Sequence, residues 1–146
     1  DQWHGEVRAT VASEGFAGTA SAWFSKEDLT AFADRMSEYP LKDPPLKLAG
    51  GYLTGSGDLE RHLYVAILPH DAVGNIRVVV ELAPPERGHD DLGTFSLVRT
   101  WFTVTYTDLE RFQRGLRKAL TGQAEEAILQ VAAEDQVFTP HTPVRF

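Results

Sequence analysis

Imidazole is the commonest metal ligand and general base near neutral pH, so His4, His62, His70, His89 and His141 are the first candidates for chemistry. None stands in a His-x-x-x-His pair or at zincin spacing from a glutamate. His70-Asp71 and His89-Asp90-Asp91 set acids beside imidazoles, which can orient a base or hold a cation. Both also have turn composition, where an aspartate commonly bonds its own backbone. Ser13, Ser21, Ser25, Ser37, Ser56 and Ser96 have no patterned histidine partner, and no Gly-x-Ser-x-Gly elbow is present. Glu125-Glu126 and Asp90-Asp91 read as solvated faces or turns, not as a pocketed acid–base pair. The chain has no cysteine, which excludes disulfides, thiolate metal sites and a cysteine nucleophile. Gly50 to Gly57 is glycine-dense but lacks the Gly-Lys-Ser/Thr ending of a phosphate loop, so it reads as a hairpin. No catalytic residue, metal ligand or cofactor site is therefore assigned, and an enzyme is the less favoured expectation.

Binding chemistry is better represented. If helices cover the strand face carrying Val65, Ile67, Val78 and Val80, period-two alternation sends Tyr64, Leu68 and Val79 to the opposite face. Arg77 and Arg99 alternate onto that same side, and Trp23 and Trp101 join it in a suitable register. Aromatics beside arginines are the usual anchors of an interface, so Trp23, Tyr64, Arg77, Arg99 and Trp101 form the candidate binding face. The competing reading is that the C-terminal tail, with Val137, Phe138 and Phe146, or a second copy of the chain covers this surface.

Such a face needs a sheet behind it. Glu6 to Val11 and Phe16 to Phe24 alternate as an amino-terminal hairpin around Ser13-Glu14-Gly15. Ser25 reads as the N-cap of a helix whose stripe is Leu29, Phe32, Ala33 and Met36, ending near Tyr39 before Pro40. Leu46 to Leu53, Arg61 to Leu68, Asn75 to Leu82 and Thr94 to Tyr106 read as four further strands. Thr107 is expected to cap a second helix, with Glu110 completing a capping box, Leu109, Phe112, Leu116 and Leu120 inward, and Gly122 closing it. A short third helix is expected over Ala124 to Val131, and 136–146 as an extended tail. The fold expected is α+β: a single largely antiparallel sheet of about six strands, order β-β-α-β-β-β-β-α, with two or three helices on one face. Asp28-Leu29-x-x-Phe32 and Asp108-Leu109-x-x-Phe112 echo one another as generic strand-to-helix entries.

A length of 146 residues suits one domain, 1–146, able to bury a core unaided. The net charge of −7 disfavours phosphate backbones, so no nucleic-acid partner is expected, and it would steer a basic protein toward the surface. No apolar run approaches bilayer length, and the visible start shows no basic stretch followed by an apolar one. The absence of cysteine tilts the expected location to a reducing, cytoplasmic compartment. The excess of arginine over lysine points to a GC-rich bacterial source.

Trp23-Phe24, Asp28-Leu29, Phe32, Tyr39-Pro40, Asp108-Leu109, Phe112, Gly122 and Ala127 resemble a family of small uncharacterised bacterial proteins. Their order is a hairpin, a capped helix, a β meander and a closing helix. Over residues 16–131 the chain is also similar to WapI-type immunity proteins, which neutralise a toxin by binding it. The resemblance implies a non-enzymatic role and carries over no functional residue. Three expectations follow. The first is a protein-binding module, possible antidote to a basic toxin; the second is a small-molecule-binding domain or minor enzyme with its site at the 83–93 loop. The third is a homodimer formed through the aromatic face.

Overall fold

The computed structural model describes residues 4–41, 45–53, 55–57, 59–84, 96–129 and 144–145. Strands β1 (His4–Ser13) and β2 (Phe16–Ser25) form the expected hairpin, with Glu14 and Gly15 at positive φ in its turn. Helix α1 (Lys26–Arg35) starts at Ser25, whose hydroxyl accepts from the Asp28 amide. It stops at Arg35, some residues short of Pro40, in a tight turn where the Met36 amide donates to the Ala33 carbonyl. Strands β3 (Leu46–Leu53), β4 (Leu59–Pro69), β5 (Asn75–Leu82) and β6 (Val98–Thr105) follow. The stretch before 96 that was expected to begin the last of these lies outside the described residues.

Helix α2 (Tyr106–Leu120) is capped two residues earlier than expected. Thr105, not Thr107, is the N-cap: its hydroxyl accepts from the Asp108 amide while the Asp108 carboxylate accepts from the Thr105 amide. Thr105 ends β6 with extended dihedrals, so the reciprocal pair closes at the point where the strand ends. At the other end Gly122 takes positive φ, its amide donates to Ala119 and that of Gln123 to Lys118.

The expected third helix is absent over 124–129 among the described residues. Ala127 and Leu129 are buried with Ile128 half-exposed between them, a period of two. Ile128–Leu129 is accordingly a short strand, β7, paired with β8 (Val144–Arg145), which also reaches β1. The C-terminal segment is thus extended where it is described, and docked rather than loose at 144–145.

The strands form two antiparallel sheets instead of the single sheet expected: β2-β1-β8-β7 and β3-β4-β5-β6. The reason lies in the hairpin's inner face. Ala9, Val11, Ala20 and Ala22 are small and fully buried, so the hairpin lies against the larger sheet instead of extending its edge. Gly18 and Gly50 show how close the layers come, since a Cβ on either would overlap Val98 or the Phe24 ring and Ala22. The covered face of the larger sheet carries Leu46, Leu48, Leu63, Val65, Ile67, Val78, Val80 and Phe102. Leu29, Phe32, Leu109, Phe112 and Leu116 of the two helices join the same core cluster. The buried Gln113 amide ties the helices together by donating to the Ala33 carbonyl at 2.7 Å and to Ser37 Oγ.

The turn between β4 and β5 is closed by Asp71, whose Oδ1 accepts from the Val73 and Asn75 amides and whose Oδ2 accepts from Asn75 Nδ2. The Asn75 side-chain bond leads the causes that hold this carboxyl below its ordinary 3.8. A lowered folded-state pKa means that the contribution is present above 3.8 and is lost as pH falls through the lowered value. Asp71→Ala should therefore lower the thermal midpoint at neutral pH, with a gap from wild type that closes on acidification. A gap independent of pH, measured by thermal unfolding across the acid range, would refute the carboxylate's role.

Candidate functional site

Strand pairing across β4, β5 and β6 lines the outward face of the larger sheet with three rows: Tyr64–Glu81–Arg99, Ala66–Val79–Trp101 and Leu68–Arg77–Thr103. Tyr64, Leu68, Arg77 and Val79 are half-buried, and Trp101 is 55% exposed. Four of the five residues expected to share a face are brought together: Tyr64, Arg77, Arg99 and Trp101. Trp23 is not among them. It stands opposite Glu6 on the outward side of the hairpin, in the other sheet, and is 66% exposed there. With two sheets instead of one, the outward sides of β2 and β6 point away from each other.

Two clusters organise the face. In the first, the Glu81 carboxylate is nearly buried and receives Arg61 at 3.2 Å and Arg99 at 3.5 Å. A carboxylate so placed needs its cations, because burying it unpaired would cost several kcal/mol on the order of the effective desolvation penalty. Arg61 also lies over the Tyr64 ring, 4.2 Å from its centroid. Strict alternation would send Arg61 to the same side as Leu63, into the core. The pairing slips between Gly50 and Gly51, which oppose Leu63 and Arg61, so that His62 has no opposite residue and Arg61 turns outward.

The second cluster is Arg77, Trp101 and His70. The Arg77 guanidinium sits 5.0 Å from the Trp101 ring centroid. Its Nε and Nη2 lie 3.3 and 3.1 Å from His70 Nδ1, which accepts, and the His70 ring leans against Trp101 at 5.8 Å. Arg61 and Glu81 were missed by the sequence pattern, and His70, expected only as a base or cation ligand beside Asp71, was not placed on this face. Glu81 was within reach of that pattern, sharing the parity of Arg77 and Val79; Arg61 depends on the bulge.

His62 is a structural histidine. Only 4% exposed, it sets Nδ1 2.6 Å from the Ala83 carbonyl, while the Ala83 amide donates back to the His62 carbonyl. Nδ1 carries the proton in that bond, and the Tyr52 ring stands edge-on to the imidazole. Nε2 is buried without a partner among the described residues. No group of three His, Asp or Glu side chains converges as a metal site among the described residues. The His89-Asp90-Asp91 stretch, and the 83–93 loop beyond Pro84, lie outside them. A cleft of about 290 Å³ between α1 and β3 is lined by Phe24, Phe32, Leu46 and Leu48 with Asp28, Arg35 and Lys47. No histidine or hydroxyl lines it. Ser25 is used as a cap, Ser37 accepts from Gln113, and Ser21 donates to Glu6 at 2.7 Å. No helix among the described residues is long and apolar enough to cross a membrane.

The chain matches no family model, no curated protein and no solved structure.

Proposed function

We propose that this chain is a non-enzymatic protein-binding module that meets its partner with the outward face of the β3–β6 sheet. The supporting observation is Trp101: more than half exposed, it is held in place by Arg77 and His70 on β6, the strand at one edge of the four-stranded sheet. An indole fixed in this way loses little freedom on binding and buries a large apolar area, which is why tryptophan with arginine dominates interface energetics. The reading accords with an immunity-type antidote in a bacterial cytoplasm, where the net charge of −7 would steer an oppositely charged protein toward the molecule.

Trp101→Ala tests it. Affinity capture from the native host should recover a specific protein with the wild-type chain, and affinity should fall at least about thirtyfold on truncation, the size of a 2 kcal/mol hot spot. Equal capture by both chains would place the contact elsewhere. Sedimentation of the two proteins separates this from self-association: a dimer that dissociates in Trp101→Ala would make a second copy the partner.

A further inference from the structure

The three arginines of the face are not equally provided for. Arg61 and Arg99 share Glu81, whereas Arg77 has no carboxylate partner among the described residues. The acid nearest in sequence to its cluster, Asp71, is committed to Val73 and Asn75. What holds Arg77 is a neutral ring nitrogen of His70 and the face of Trp101. A guanidinium has five N–H donors, and a single imidazole lone pair cannot satisfy them. The stacked, half-buried side chain is therefore pre-aimed, with donors to spare. Lys47, opposite Ala66, is exposed on this same side, so the face is locally cationic on a chain of net charge −7.

We infer that the outward face binds an acidic segment of a partner protein, with an Asp or Glu carboxylate taken by Arg77 and a neighbouring apolar side chain lying on Trp101 and Val79. The inference rests on reading this face as the contact surface, and it specifies the chemistry received there. The global charge governs approach at long range; the residue met at contact is set by the local cation. A planar guanidinium fork favours a carboxylate over an amide because the carboxylate brings the opposite formal charge and two equivalent acceptor oxygens, which allow a bidentate pair.

The test uses defined probes on the whole chain. The Arg77 Nε–H and Trp101 indole N–H signals are followed by NMR during titration with acetyl-Val-Glu-Val-Glu-Val-amide, its glutamine counterpart, inorganic phosphate and an oligothymidylate strand. The acidic peptide should shift both signals saturably and bind about tenfold more tightly than the glutamine peptide. Arg77→Gln should abolish the preference, and Arg77→Lys should restore only part of it, since charge without the planar fork remains. Both variants should still unfold cooperatively, because the half-buried Arg77 side chain lies outside the core cluster. Equal affinity for the two peptides, no saturable shift, or tighter binding of phosphate or oligothymidylate would overturn the inference. Loss of partner capture in Trp101→Ala together with equal peptide affinities would leave the face as the contact surface and remove the carboxylate alone.

Discussion

Gly51→Ala should lower stability by about 3 kcal/mol or more, at the severe end of what inserted atoms cost. A Cβ at this position would run into the Glu60 carbonyl oxygen across the β3–β4 pairing. That oxygen is backbone, so nothing nearby can rotate out of the way. Relief requires the bulge itself to move, and with it the segment that carries Arg61 and His62. Gly50→Ala makes an instructive companion. Its Cβ would meet Phe24 Cζ at 2.5 Å and Ala22 Cβ at 2.8 Å, which are side-chain atoms, and the ring can shift. Its cost should be smaller, about 1–3 kcal/mol. Urea unfolding of the two variants checks the order; a Gly51→Ala chain as stable as Gly50→Ala would show that the strand slip is not held by backbone contact. Partner capture should also weaken in Gly51→Ala, because Arg61 then loses its hold on Glu81.

Phe112→Ala should cost about 3–5 kcal/mol, as truncating a wholly buried phenylalanine does where the surroundings collapse only in part. Phe112 is 1% exposed and belongs to the core formed by Leu29, Phe32 and the covered face of the larger sheet. The informative comparison is Trp101→Ala, on the other side of that sheet. Its ring is more than half in water, so it should change stability by no more than about 1 kcal/mol while abolishing partner capture. Denaturant midpoints and capture measured on both variants should therefore rank them oppositely. A Trp101→Ala chain as unstable as Phe112→Ala would mean that the indole supports the fold instead of serving the surface.

Much of the fold could be read from local pattern. Asn75 to Leu82 is a strand over those residues because Ile76, Val78, Val80 and Leu82 alternate with Arg77, Val79 and Glu81. Ser25 caps α1 because a hydroxyl there can reach the Asp28 amide, a relation contained within four residues. Such features are settled locally, and alternation within each strand gives Tyr64, Arg77 and Arg99 their sides, whereas Trp101 needed the pairing register to join them. What could not be read depends on distant partners. Trp23 itself does not reveal that its hairpin stacks on the other strands instead of joining them; the cue is the set of small residues beside and opposite it, Ala20, Ala22 and Ala9, which permits close layers. Thr105 and Thr107 are both plausible caps by type, and the end of the β6 pairing decides between them. Ala124 to Leu129 has helical composition, but β8, far along the chain, draws Ile128 and Leu129 into a strand. Arg61 needed the glycine slip in β3, which only pairing reveals.

The meeting of β1 with β8 has a consequence for biosynthesis. Thr10 and Arg145 are partners although nearly the whole chain lies between them. While the polypeptide is being made, the hairpin can form early, but the flank of β1 near Thr10 stays unsealed until residue 145 has left the ribosome. Unsatisfied strand flanks recruit other chains readily. During that interval the open strand flank is the part of the nascent chain exposed to mispairing.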